Sequence, residues 1–167
     1  MNSSLFSLEN QIVLITGSSR GLGWSMAQVV AEAGATVLLH GRDENLLKER
    51  QQNLQELGQR AEYFVFDVVN DEEVLAAFEK IRELHGQLDG LINNAGIQHH
   101  RPFTKFELED FDRVLDTNLR ASVLLSQEAV RLSRHKDQDL SSILLRLWPP
   151  RLIKRSLPTI AGPEWLA

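Results

Sequence analysis

Along residues 11–133, short apolar runs alternate with longer segments in which apolar residues recur every three or four positions. The first run, 11–16, is rich in β-branched residues and ends at Gly17, which is typical of a buried strand. The runs that predict strands are 11–16, 35–40, 61–68 and 88–94. The segments that predict helices are 21–34, 43–57, 71–85 and 107–133. Because such alternation produces parallel strands joined by right-handed crossovers, we predict an α/β fold, a doubly wound sheet with helices on both faces.

Two of the helical segments carry clear apolar stripes. In 71–85 the stripe is formed by Val74, Phe78 and Ile81, and Gly86 ends the segment. In 107–133 the residues that recur at spacings of three and four are Leu108, Phe111, Leu115, Leu119, Ser122 and Leu125. We therefore expect 107–133 to form one long amphipathic helix.

The pattern changes near residue 134. Four of the five prolines and two of the three tryptophans fall in 148–167, and no regular element is predicted after the apolar run SSILLRLW at 141–148. We divide the chain into an α/β domain, 1–133, and an irregular tail, 134–167. An exposed fourth strand would be an aggregation hazard unless SSILLRLW or another chain covers its edge.

Composition narrows the class of protein. The chain has 167 residues, 43% hydrophobic and 25% charged, as expected for one globular domain. A net charge of −5 argues against a nucleic-acid partner, and the absence of cysteine excludes disulfides. The histidines form no zinc-like cluster, and the sequence shows neither a signal peptide nor an apolar run long enough to span a membrane. The expected location is cytoplasmic.

The segment TGSSRGLG, 16–23, lies between the first predicted strand and helix. A glycine-rich turn in this place lets backbone N–H groups approach a pyrophosphate, and the helix N-terminus favours the negative charge. An ordinary glycine-rich turn is the alternative, but the position inside a βαβ unit favours dinucleotide binding. The three glycines that matter are Gly17, Gly21 and Gly23.

The end of the second predicted strand indicates which dinucleotide is bound. NAD-binding proteins usually carry an acidic residue there, whereas this chain has His40, Gly41 and Arg42. Arg20 and Arg42 could pair with a 2′-phosphate through charge-assisted hydrogen bonds. We therefore favour NADP over NAD; the alternative is that both arginines are simply solvated.

Together, TGSSRGLG and the motif NNAG at 93–96 resemble the short-chain dehydrogenase/reductase family. The segments LFSLENQIVLITGSSRGLG, LLHGRDE and NNAGIQHHRPFTKFELEDFDRVLDTNL are similar to its bacterial gluconate 5-dehydrogenase branch. The resemblance covers roughly residues 5–132. It implies a Rossmann-like fold, NADP-dependent interconversion of 5-ketogluconate and gluconate, and pairing of subunits through the helix at 107–133.

The resemblance also assigns roles to residues. It places the cofactor at Gly17, Ser19, Arg20, Gly21, Gly23, Arg42, Asp67, Val68, Asn94, Ala95 and Gly96. Asn118 matches the family's asparagine that holds a water in the proton relay; without the resemblance, a backbone-bonded asparagine would be the preferred interpretation. Arg101, which follows His99 and His100, could meet a substrate carboxylate, although an exposed basic loop is an equal alternative.

The family's chemistry also needs a serine and a Tyr-x-x-x-Lys motif. Tyr63 is the only tyrosine and is followed four residues later by Asp67, so we interpret it as a strand residue packed on the sheet. Ser141 and Ser142 precede the last apolar run and receive no catalytic role. Our hypothesis is a truncated or frame-shifted dehydrogenase, inactive alone, with foreign sequence after about residue 133. The alternative is a non-catalytic NADP-binding module.

Overall fold

In the computed structural model, residues 7–133 are described together with the backbone of a strand at 144–146. The strands are β1 Ile12–Ile15, β2 Thr36–Gly41, β3 Arg60–Val65, β4 Gly90–Asn93 and β5 Leu144–Arg146. The helices are α1 Gly21–Glu32, α2 Glu44–Glu56, α3 Asp71–His85, α4 Leu108–Leu115 and α5 Ala121–Leu132. A 3-10 turn, Phe103–Lys105, precedes α4, and a π-helical turn, Asp116–Arg120, joins α4 to α5. Apart from 144–146, the predicted tail with Ser141 and Ser142 lies outside the described residues.

The five strands form one parallel sheet in the order β3-β2-β1-β4-β5. This confirms the predicted α/β class with its doubly wound sheet. β4 is not an edge strand, since β5 pairs with it from Leu91 opposite Leu144 to Asn93 opposite Arg146. The strand order reverses between β1 and β4, and in open parallel sheets that point creates a crevice at the carboxyl ends of the strands.

Two apolar layers cover the sheet. Successive strand residues point to opposite faces, so that Val13 and Ile15 join one layer and Leu14 joins the other. The layer under α1 and α2 is completed by Ala27, Ala31, Ala35, Val37, Leu39, Leu47, Leu54 and Ala61. The layer under α3 and α5 includes Leu38, Phe64, Val74, Phe78, Ile81, Leu91, Ala121, Leu125 and Leu132. The α3 stripe predicted from the sequence is therefore buried.

The prediction of one helix over 107–133 needs two corrections. The run is interrupted by the π-helical turn, which gives the backbone one extra residue where Asn118 reaches across to the loop after β4. The apolar stripe is also mostly uncovered: Leu108 is 78% exposed and Leu119 51% exposed. Only its last member, Leu125, enters the core, because α5 packs on the sheet while α4 does not.

Candidate functional site

The glycine-rich turn between β1 and α1 is held by close backbone contacts. Gly17 and Gly21 have φ of +64° and +56°, values that suit glycine. At Gly23, a Cβ atom would lie 2.3 Å from the Gly17 carbonyl oxygen and 2.5 Å from Asn94 Nδ2. The first turn of α1 has no acidic residue, and Arg20 at its N-cap makes no side-chain cap. The N–H groups of this helix end are thus available to an anion.

Asn94 joins the turn to the end of β4. Its Nδ2 donates to the carbonyl oxygens of Thr16 and Gly17, at 3.0 and 3.1 Å. The backbone N–H groups of Asn94 and Ala95 both donate to the Thr16 hydroxyl at 3.0 Å. The two sequence motifs, TGSSRGLG and NNAG, therefore meet in space. Thr16 was not among the predicted site residues, although its hydroxyl binds both motifs.

His40, which the sequence reasoning noted only for not being acidic, lies behind the turn and is 3% exposed. Gly17 N donates to its Nδ1 at 3.0 Å, and its Nε2 lies 3.0 Å from the Phe66 carbonyl oxygen. Its backbone N donates to Ser18 Oγ at 2.8 Å. Burial lowers the pKa of His40 to about 4. The imidazole is therefore neutral at physiological pH and joins three strand ends.

The corner beside the β2 terminus is basic and open. Arg42 is 73% exposed at its side chain and lies 3.4 Å from an Asp67 carboxylate oxygen. The Arg20 side chain is exposed and forms no ion pair with residues 7–133. Arg50, which the sequence analysis missed, donates from Nε to the Ser19 carbonyl at 3.1 Å and stacks over Trp24. This corner therefore carries the two exposed guanidinium groups of Arg20 and Arg42. The guanidinium group of Arg50 stabilises the turn beside them.

The strand predicted over 61–68 is too long at its C-terminal end. In the structure, β3 ends at Val65. β2 ends at Gly41, opposite Val65, so no ladder partner continues beyond it. Asp67 instead forms a turn in which its Oδ1 accepts from Val69 N at 3.2 Å. The Val68 side chain is buried in the α3 layer. This turn leaves the Asp67 carboxylate beside Arg42, at the carboxyl edge of the sheet.

Asn118 lies in the π-helical turn and holds the loop after the NNAG motif. Its Oδ1 accepts from Ile97 N at 2.9 Å, and its Nδ2 donates to the Ile97 carbonyl at 3.0 Å. A Cβ atom at Gly96 would lie 3.0 Å from Asn118 Oδ1. Both polar atoms of the Asn118 amide are thus hydrogen-bonded to the Ile97 backbone. The role of Asn118 in holding a water stays a prediction.

The basic loop after β4 is internally paired. Arg101 donates to Glu107 at 3.0 Å, and its side chain is 47% exposed. His99 Nε2 lies 2.8 Å from Asp110 Oδ2 and its ring contacts Phe106 edge-on, whereas His100 is exposed. A substrate carboxylate would have to replace Glu107 at Arg101, and that role also stays a prediction.

Tyr63 packs against the α1 and α2 layer and donates from its hydroxyl to Glu44 Oε1 at 3.2 Å. These contacts agree with the interpretation of Tyr63 as a strand residue. Within residues 7–133 and 144–146, no group of three or more histidine, aspartate or glutamate side chains is arranged to hold a metal ion. No helix in the same part of the chain is long and apolar enough to cross a membrane.

Comparison with known proteins decides the family, since residues 11–140 match the family described as short chain dehydrogenase. The chain belongs to the short chain dehydrogenase family. A gluconate 5-dehydrogenase of Gluconobacter oxydans is 38% identical over 127 residues, which are 76% of this chain and 50% of that protein. A 3beta-hydroxysteroid dehydrogenase of Mediterraneibacter gnavus is 37% identical over 126 residues, 74% of this chain and 45% of that protein. This chain thus spans about half the length of the curated relatives it matches.

A solved structure agrees with the fold of this chain. A gluconate 5-dehydrogenase from Burkholderia cenocepacia, crystallised with NADP and tartrate, superposes with a TM-score of 0.74 and 34% identity. The match covers 78% of this chain and 51% of that one. Because relatives with different named substrates match to similar degrees, similarity over this half does not choose the substrate.

The contacts of Gly23 predict that Gly23→Ala destabilises the fold more than Gly21→Ala. A methyl group at Gly23 must displace backbone and the Asn94 amide, which we expect to cost about 3 kcal/mol or more. At Gly21 nothing lies within 4 Å, so the cost is the positive φ alone, about 1–2 kcal/mol. Urea denaturation followed by circular dichroism measures both variants, and equal losses would contradict the packing described for Gly23.

Proposed function

We propose that this chain forms the cofactor half of an NADP-dependent oxidoreductase. In this proposal the turn 16–23 and the α1 N-terminus hold the pyrophosphate, and Arg20 and Arg42 bind the 2′-phosphate. Asp67 and Val68 flank the adenine, and 94–96 border the inner ribose. The observation that supports it most is the turn already held by Asn94 and His40, because a rigid cradle loses little entropy on binding.

The charge of the corner supports NADP rather than NAD. No carboxylate stands at 40–42, and within the described residues Arg42 forms an ion pair with Asp67 at 3.4 Å. An exposed ion pair of this kind is worth about 0–1 kcal/mol. A charge-assisted hydrogen bond to a phosphate contributes more, so the phosphate displaces Asp67 from Arg42 at little cost.

We further propose a keto sugar acid and its alcohol as the substrate pair of the 5-ketogluconate type. The named activity of the Gluconobacter relative supports this, as does the tartrate in the Burkholderia complex, since tartrate is also a hydroxy acid. NADPH would supply the hydride. This chain's part would be to orient the cofactor, with Arg101 meeting the substrate carboxylate and Asn118 acting in the proton relay.

The 167 residues contain no Tyr-x-x-x-Lys. General acid/base catalysis contributes about 10² to 10⁴ in rate, so these residues alone should bind cofactor without turnover. A non-catalytic NADP-binding module would behave in the same way unless a subunit with the missing groups were added. The cytoplasmic location and the truncation or frame shift both stay predictions from the sequence.

The cofactor proposal predicts a selective effect of Arg42→Gln. Calorimetric titration should show NADP⁺ binding to the wild-type chain, and the substitution should weaken it about tenfold or more, the value of one charge-assisted hydrogen bond. NAD⁺ affinity should not change, because NAD⁺ has no 2′-phosphate. The control is Arg82→Gln, an exposed arginine on α3 paired with Glu79.

An equal loss of NADP⁺ and NAD⁺ affinity, or no NADP⁺ binding by the wild type, would contradict the proposed site. The same preparations are mixed with NADPH and 5-ketogluconate and followed by NADPH absorbance. Binding without oxidation of NADPH is the expected result. Turnover by the 167 residues alone would show that another group performs the proton transfer.

We also propose that a second copy of the chain covers the apolar stripe on α4 and the π-helical turn. The stripe combines Leu108, Phe111, Leu115 and Leu119, each at least 38% exposed. Four large apolar side chains in a row on one helix face are typical of an interface and unusual on a free surface. Two such faces could pack as a symmetric pair.

This pairing predicts that Phe111→Glu converts a dimer into a monomer, because it places a charge in the centre of the apolar contact. The control, Leu84→Glu, carries the same change at a residue of α3 that is 56% exposed. Light scattering across a range of protein concentrations gives the mass of each. A monomeric wild-type chain would overturn the proposed interface.

A further inference from the structure

The strongest unassigned feature of the molecule is the buried imidazole of His40. It is 3% exposed, and it touches neither substrate nor solvent in the proposed scheme. Both ring nitrogens nevertheless bind backbone groups of other elements, Gly17 N and the Phe66 carbonyl, each at 3.0 Å. The ring also lies 3.9 Å from the Phe66 ring, measured between centroids. Every polar atom of this side chain is therefore used.

The two partners fix the tautomer of the ring. A backbone N–H can only donate, so Nδ1 must accept from Gly17 and carry no proton. A carbonyl can only accept, so Nε2 must carry the proton and donate to Phe66. Protonation would place an N–H on Nδ1 facing the Gly17 N–H. Two donors would then face each other, so the contact requires neutral histidine.

The two bonds lead to the two ends of the proposed cofactor site. Gly17 begins the phosphate turn and has a positive φ of +64°. Phe66 precedes Asp67 and Val68, the residues proposed beside the adenine. Ser18 is also bound, since its N donates to the His40 carbonyl at 2.9 Å and its Oγ accepts from His40 N. His40 thus links the turn proposed for the phosphates to the chain segment proposed for the adenine, and so sets the distance between them.

We propose that His40 is a positioning residue for the cofactor, whose Nδ1 holds Gly17 so that the turn presents its N–H groups to the phosphates. The proposal rests on the cofactor function above and adds the residue that makes the cradle rigid. It assigns separate roles to the two nitrogens: Nδ1 supports the phosphate turn, and Nε2 supports the end of β3.

Burial keeps the ring neutral, and the bond to Gly17 is therefore permanent rather than switchable. Against this burial, the hydrogen bond to the Phe66 carbonyl and then the charge of Asp67 raise the pKa of His40, whereas the charge of Arg42, directly after β2, lowers it. Among residues 7–133, Asp67 and Arg42 are the charged groups that shift its pKa. Burial dominates and leaves the pKa at about 4, so the neutral form persists as long as the pH stays well above that value.

The test uses two amide substitutions that each retain one of the two bonds. In His40→Asn, the amide oxygen occupies the place of Nδ1 and can still accept from Gly17. In His40→Gln, the longer amide reaches the place of Nε2 and can donate to Phe66, but nothing accepts from Gly17. NADP⁺ affinity is measured by calorimetry on the 167-residue chain at neutral pH. Circular dichroism first confirms that both variants are folded at the temperature used.

We expect His40→Gln to weaken NADP⁺ binding about tenfold or more, because the turn whose Gly17 has lost its bond must be ordered again when the phosphates bind, and His40→Asn to stay within about threefold of wild type. Hydrogen exchange of the Gly17 amide in the cofactor-free chain gives an independent readout. It should be slow in wild type and His40→Asn and fast in His40→Gln. A nitrogen NMR spectrum should show Nδ1 unprotonated in the wild type.

Equal affinities for the two variants, or equal Gly17 exchange, would overturn the positioning role even where both variants are less stable than wild type. A protonated Nδ1 would overturn it as well. If the wild-type chain binds no NADP⁺ while Gly17 exchange follows the expected order, the anchor exists but the proposed function fails, and with it the role of His40 toward a cofactor.

Discussion

The structure depends on one close approach, the contact of the β1 turn with Asn94 at the end of β4. Gly23 has no side chain where a Cβ atom would meet the Gly17 carbonyl at 2.3 Å, so α1 can begin directly against the turn. Asn94 then occupies the space and satisfies the carbonyl groups of Thr16 and Gly17. The order of the strands makes this contact possible, because β1 lies between β2 and β4.

The other parts of the site are each held in place by a neighbour of this contact. The turn fixes the N–H groups at the start of α1, and His40 fixes the turn against β2 and the end of β3. The loop after NNAG is fixed in turn by Asn118, which the π-helical turn brings to Ile97. In the proposed scheme, backbone groups hold the phosphates and the exposed arginines add the charge. A preference for the 2′-phosphate would then depend on side chains at the rim and not on the cradle itself.

Some of this was predictable from the sequence because it is local. The strands and helices follow from the period of apolar residues, and the turn at 16–23 follows from its glycines between a strand and a helix. The place of NNAG beside that turn follows from the rule that parallel strands end at one edge. The sequence also showed that nothing acidic stands at 40–42.

Other features depend on contacts between distant residues and carry no local signal. Nothing in the sequence around His40 says that its ring will reach Gly17 and Phe66, because that requires the register of three strands. In the sequence, Arg50 is one of several charged residues on a polar helix, and nothing indicates that its side chain donates a hydrogen bond to the Ser19 carbonyl. The π-helical turn interrupts a stripe that is regular in sequence, and the exposure of Leu119 depends on which part of the helix packs on the sheet.

We propose that the turn, the basic corner and the strand ends of this chain form one NADP site. Titration of the nitrogen-15-labelled chain with NADP⁺, followed by two-dimensional NMR, tests it most directly, because each amide reports its own surroundings. We expect the shifts to concentrate at 17–23, 40–42, 67–68 and 94–96, and the amides of 51–61, at the opposite ends of the strands, to stay unchanged. Shifts centred elsewhere, or none at saturating NADP⁺, would contradict it.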